Sequence, residues 1–439
     1  MRIPPASVTF TLLLSFLVAL PAFGIDMSLP ALTAIGATFG STPSQAGLTM
    51  SLFMLGFAIG PLFYGPASDR FGRKPMVVLG CALFAIAGVG CLVARSLPAL
   101  LAWRFVQGAG AGAGITISLA IIRDLFEGQA ARTRLSYVTV ATMIVPMIAP
   151  TAGAALLGFG SWRAIQAVLA GTSLLLLLVV SIGLAESARL DPANRLAPIV
   201  VLRNYLRVLR HPVCAAYILV NAAGFGCLFA YVSGSSLVLI DVMGLRPQQY
   251  ALLFGATSFA ILAGAFVNGR LAAMDIAPDY PLIIGLSLAT VSAMSLLGLT
   301  LVVWTPLSLL ISLLVLANFG FGLTAPNAMQ AVMQPLPKIA GAASAMMGVV
   351  QMTTAAVVSG LVTVLFDSRS ALSMTAPMAL CSLIALAGHL LFARPAERKA
   401  FARRSSSDLA KTRASSTDRP PRGSPDLSGL GRARGLKLT

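Results

Sequence analysis

The sequence predicts an all-α polytopic membrane protein, twelve transmembrane helices in two six-helix bundles, and three observations predict it. Of the 439 residues, 57 % are hydrophobic and only 10 % are charged, far from the roughly 25 % charged of a soluble domain. The apolar residues fall into twelve runs, each near the roughly 20 residues that cross a hydrocarbon core about 30 Å thick. Lys and Arg gather in alternate loops, the pattern by which basic loops mark the cytoplasmic side.

The first six runs lie near 8–32, 45–66, 75–95, 98–122, 135–158 and 164–185. The other six lie near 213–240, 248–271, 281–303, 306–330, 340–366 and 371–393. A polar segment, 186–212, separates the two groups and carries Arg189, Arg195, Arg203, Arg207 and Arg210. The domains read from this pattern are a bundle at 1–185, a cytoplasmic linker at 186–212, a second bundle at 213–393 and a basic cytoplasmic tail at 394–439. That tail, rich in Ser, Arg, Pro and Gly and without apolar periodicity, is expected to be disordered. Arg2 before an apolar run resembles a secretory leader. The run continues past Asp26 to Leu32, however, so it reads as a first transmembrane helix.

The net charge of +17 raises nucleic acid as a partner, but 12 of the 31 Lys and Arg follow position 393 and most others sit in alternate loops. That placement argues for a membrane instead. With the N-terminus inside, the inner loops and N-terminus hold 14 cations and the outer loops only Arg95, Arg163, Arg246 and Arg369, so both termini are expected in the cytoplasm. The five cysteines (81, 91, 214, 227 and 381) fall within predicted spans without a pairing pattern, and no disulfide is expected. His211 and His389 sit at span ends with no metal-ligand spacing or nucleophile–base set, which excludes an enzyme and a metal site.

Among fourteen acidic residues only Asp26 stands well within a span. An intramembrane carboxylate is costly to bury as an ion and usually faces a cavity, where it serves a proton or a ligand. Pro21 and Pro30 flank it and should bend the helix and free carbonyls beside it. One cation shares its depth, Arg104, and Gln107 and Gly108 follow at spacings that place them on the same helix face. An arginine there needs a partner, and the first helix is the nearest source of an acid. Gly108, Gly110, Gly112 and Gly114 permit close helix contact.

Between the second and third runs lies GPLFYGPASDRFGRKP at 60–75, a cationic elbow. Its pattern G-x-x-x-D-R-x-G-R-K, matched by Gly65, Asp69, Arg70, Gly72, Arg73 and Lys74, resembles the loop between helices 2 and 3 of the major facilitator superfamily. The resemblance implies a latch at the inner gate, with Asp69 accepting from a helix N-terminus and Arg73 paired with Asp124. R-x-x-Q-G, at Arg104, Gln107 and Gly108 with Gly112 following, resembles the superfamily's helix 4 motif, to which a part in proton transfer is attributed. Pro146, Pro150 and Gly153 in VPMIAPTAG partly match the antiporter motif of its drug exporters, with Val145 and Ala149 where that motif has glycine. IDMSLPAL at 25–32, RDLF at 123–126, FAYVSGSSLVLID at 229–241 and APNAMQ at 325–330 look like the Bcr/CflA group of drug and proton antiporters. That likeness assigns Asp26 the proton-carrying role.

The function so implied is proton-coupled multidrug efflux across a bacterial inner membrane by alternating access. Chloramphenicol-like or bicyclomycin-like compounds are the implied substrates. Phe225, Phe229, Tyr231, Asn318 and Asn327 are candidates for the substrate cavity and equally for helix packing. No cofactor is expected beyond the proton motive force, and the chain is expected to work as a monomer with drug, protons and lipid as its partners. A proton-coupled exporter or importer of one metabolite, or a non-transporting sensor or scaffold, would share the fold.

Overall fold

Ser7, Thr42, Ser96 and Ser161 each precede an apolar run, and each hydroxyl accepts a backbone N–H of the first helical turn, from Phe10, Gln45, Ala99 and Arg163 respectively. Such caps satisfy donors that the helix cannot pair internally, which is why these runs start where they do. The computed structural model describes residues 3–188, 198–302 and 306–399. The chain divides after Ala393 into two units. Arg189, Arg195 and all of the tail beyond 399 lie outside the described residues.

The first span comprises α1 (Val8–Asp26), a 3-10 turn at Leu29–Ala31 and α2 (Leu32–Thr38). Next come α3 (Pro43–Phe71), α4 (Arg73–Val93), α5 (Leu97–Leu125), α6 (Gly128–Gly158) and α7 (Trp162–Gly183). A short helix, α8 (Pro198–Arg210), occupies the linker that composition marked only as polar. The second set is α9 (Pro212–Ser236, continued by a π turn to Val242), α10 (Pro247–Ala273), α11 (Asp279–Val302), α12 (Leu307–Met333), α13 (Ala340–Val364) and α14 (Leu372–Gly388). Among the described residues, twelve helices are long and apolar enough to cross a bilayer, and they fall on the twelve predicted runs. The α3–α4 junction defines one face of the membrane domain, called here the loop face. The opposite ends of these helices make the far face.

Backbone contact at glycine holds the helices together. In α5, Gly108 lies against the Phe53 carbonyl and Gly112 against Gly60, both on α3; Gly110 meets α4 at Gly80 and Phe84, and Gly114 meets the Leu17 carbonyl of α1. One helix thereby touches three neighbours at backbone distance, which suits a setting where packing drives association. The second set repeats the device. In α12, Gly320 meets Gly285 of α11 and Gly322 meets Gly264 of α10, so the 110/112 pair recurs as 320/322. That recurrence is what two related halves would leave in the structure.

Hydrogen bonds between the first six and last six spans number three among the described residues. Thr33 Oγ1 donates to Asp241 Oδ1 at 2.9 Å, Ser44 Oγ to the Thr363 carbonyl at 2.6 Å, and Ser51 Oγ to Ser359 Oγ at 3.1 Å. All three lie toward the far face, which is therefore the closed end. Removing the first by Thr33→Val should weaken closure by about 0.5–1.5 kcal/mol. A cysteine at position 359 should then react roughly two- to tenfold faster with an impermeant maleimide added from the far face.

Candidate transport site

Asp26 is the last residue of α1 and is 6 % exposed. Pro30 explains the break that follows. It has no N–H to give the carbonyl four residues back, which is that of Asp26 itself. The local ladder then shifts, and Ser28 N–H bonds the Ile25 carbonyl at 3.1 Å rather than that of Gly24. Gly24's freed carbonyl accepts instead from Ser28 Oγ at 3.2 Å and from the Arg104 guanidinium at 2.9 Å. Pro21 acts alike nine residues earlier, freeing the Leu17 carbonyl against which Gly114 packs.

Arg104 is 1 % exposed. It donates to Gln107 Oε1 at 2.7 Å, and Gln107 in turn donates to Gln166 Oε1 of α7 at 3.3 Å. Its guanidinium carbon stands 4.5 Å from the Phe53 ring centroid. The expected acidic partner is not there. Among the described residues no ion pair joins Arg104 to Asp26, because the unwound turn offers a bare carbonyl closer to hand. Arg104 thus clamps the backbone two residues before Asp26.

Around Asp26 the two halves meet. No hydrogen bond or ion pair reaches its carboxylate among the described residues. The Tyr231 and Tyr250 side chains lie within its electrostatic reach, and both belong to the second set. Tyr231 bonds Thr257 through its hydroxyl and stacks on Phe254 at 5.5 Å, while Tyr250 pairs with Ser235 at 3.1 Å. On the other side Gly153 of α6 packs directly on the Met27 carbonyl. The one glycine retained from the antiporter motif is therefore where α6 meets the broken helix, and α6 itself runs as one helix through Pro146 and Pro150.

The other cavity candidates divide. Phe225 and Phe229 stack on each other at 4.7 Å and Phe225 lies 5.9 Å from Phe321, an aromatic wall between α9 and α12. Asn318 donates to the Thr257 carbonyl at 3.4 Å and so joins the Tyr231 network. Asn327 does not belong there. It donates to Asn268 Oδ1 at 2.7 Å and to the Leu323 carbonyl at 2.9 Å, tying α12 to α10 near the loop face.

At the loop face α3 continues to Phe71, so Gly65, Asp69 and Arg70 are helical and the turn itself is Gly72. Its φ of 101° and ψ of 156° lie where only glycine is at ease. Gly65 has open space around it, so it does not serve close approach. Arg73 donates to Asp124 Oδ2 at 2.8 Å, as expected, and also to Ser68 Oγ at 2.7 Å and to Asp69. Asp69 accepts from Arg73 rather than from a helix N-terminus. The N-terminus of α4 is taken by Glu186, which accepts from the Arg73 and Lys74 N–H groups at 2.8 and 3.1 Å. Lys74 enters this cluster through its backbone. Sequence reading missed Glu186 because 113 residues separate it from Arg73, and a lone acid after a span carries no local signal. It missed as well the contact of His389 with Asp279 at 3.1 Å, which lies far from Asp26 in sequence and within the second set.

The Major Facilitator Superfamily model matches residues 14–357. The chain is 30 % identical over 356 residues to a bicyclomycin resistance protein homolog of Haemophilus influenzae, covering 80 % of this chain and 88 % of that one. It is 28 % identical over 335 residues to the multidrug resistance protein MdtL of Escherichia coli, covering 76 % and 83 %. Among solved structures, a bacterial homolog of the human lysosomal transporter Spinster, inward-facing and occupied, superposes with a TM-score of 0.71 at 15 % identity, covering 90 % of this chain and 98 % of that one. That likeness is of fold. With that family model matching most of the chain and twelve helices long and apolar enough to cross a bilayer among the described residues, the chain belongs to the major facilitator superfamily as a transporter, not an enzyme.

Proposed function

We propose that the protein exports small amphipathic drugs in exchange for protons, by alternating access, across a bacterial inner membrane with both termini in the cytoplasm. The observation that carries this reading is Asp26: a buried carboxylate with no hydrogen bond among the described residues, on a broken helix, where the two sets of six helices meet. The relatives named for multidrug and bicyclomycin resistance support the substrate class. With the loop face cytoplasmic, the closed far face makes this an inward-facing state.

The two six-helix bundles rock about the level of Asp26. Toward the cytoplasm Asp26 gives up its proton as drug enters beside Tyr231 and the Phe225–Phe229 wall. Toward the periplasm it regains a proton as drug leaves. Arg104 holds the Gly24 carbonyl and with it the carboxylate's position through the cycle. Each proton carries about 2.3 kcal/mol per 100 mV of membrane potential, so one acid suffices for uphill export.

The Arg73 cluster latches the inner gate, and losing it changes the population of one state relative to the other. Asp69 is half exposed, and an exposed pair contributes about 0–1 kcal/mol. Asp69→Asn and Asp124→Asn should each slow turnover by up to about fivefold with membrane insertion unchanged, read as transport rate per inserted protein.

Inside-out vesicles acidified by respiration test the function. Chloramphenicol, bicyclomycin and other apolar drugs should each release lumenal protons in proportion to transporter content. Release by one metabolite and by no drug would replace this reading with a narrow carrier.

A further inference from the structure

The linker helix α8 presents three faces. Val208 is fully buried and packs the helix against α9 and α13. Leu202, Leu206 and Leu209, spaced by four and three residues, form one stripe and are 52 %, 43 % and 42 % exposed. Arg203, Arg207 and Arg210 each follow one of these leucines and so form a second stripe, about 100° round the helix. All three arginines are exposed, and among the described residues none has an ion pair or a side-chain hydrogen bond. No acid occurs anywhere in α8 to neutralise them.

An exposed leucine stripe beside an unpaired arginine stripe does not suit water on both sides. It suits a bilayer surface, where apolar side chains enter the acyl boundary and cations meet headgroup phosphates. The position agrees. One residue, His211, separates α8 from α9, so α8 stands level with the loop-face ends of the spans. Tyr205 of α8, moreover, lies within electrostatic reach of Asp69 in the latch. Burial, with that carboxylate beside it, raises its phenol above the ordinary value.

We propose that α8 docks onto anionic phospholipid of the loop-face leaflet, with Leu202, Leu206 and Leu209 in the acyl boundary and Arg203, Arg207 and Arg210 on the headgroup phosphates.

Native mass spectrometry of the full chain, released from bilayers of phosphatidylcholine mixed with phosphatidylglycerol, tests the docking without reference to transport. Wild type should retain phosphatidylglycerol in preference. At roughly fivefold per basic residue near an anionic surface, the triple variant Arg203→Gln, Arg207→Gln, Arg210→Gln should lose that preference at least about tenfold. Arg398→Gln with Lys399→Gln, which removes two cations outside α8, should keep it. Circular dichroism and a monodisperse profile establish that the variants fold. Equal preference in wild type and triple variant, or none in wild type, overturns the proposal.

Discussion

Asp26→Asn is expected to abolish drug-driven proton exchange while leaving the protein folded and inserted. Asparagine matches aspartic acid in size at the buried end of α1, so packing should be unchanged. It cannot release a proton, so the step that links the two movements is missing. Uphill export then stops, because nothing couples the about 2.3 kcal/mol per 100 mV to the drug. Downhill drug movement should persist, since the gates at both faces are built from other residues. The paired measurement is proton release and drug counterflow in the same vesicles; loss of both at once would mark a folding or binding defect instead.

The second large effect concerns packing. A Cβ at Gly108 would run into the Phe53 carbonyl of α3, and Gly56 meets α5 equally closely from the other side at Phe105. Backbone cannot yield as a side chain tip does, so Gly108→Leu forces α3 and α5 apart. Overpacking costs about 1–3 kcal/mol even for added methylenes that partly relax, and a leucine here adds a whole side chain against backbone. Most of the variant should fail to reach a monodisperse, thermally cooperative state. Gly171→Leu provides the comparison, because Gly171 is exposed and has open space around it. It should express and melt like wild type.

The span pattern was legible because a bilayer imposes length and composition on every helix, and each predicted run has its helix. The burial of Asp26 was legible for the same reason: it is the one acid placed well within an apolar run. What α1 does there was only half legible. Pro30 announced a break, but not that the break would offer the Gly24 carbonyl to Arg104, because which carbonyl comes free depends on the shifted turn. The Arg73–Asp124 pair followed from motif spacing, whereas Glu186 on the same loop face comes from a distant segment that no spacing connects. The same limit explains Asn327, whose sequence neighbourhood is polar but whose partner, Asn268, is set by the register of α10 on α12. In α8 the period of the leucines and arginines was present in the letters, yet the surrounding polar linker masked it.

Proton release on drug binding tests the central claim most directly. Purified transporter in weakly buffered detergent solution, with a soluble pH dye, is mixed with a drug that elicited release in vesicles. Wild type should release protons in step with the binding isotherm, and Asp26→Asn should bind drug and release none. Proton release by Asp26→Asn equal to that of wild type would contradict the account, and would move the coupling to another group.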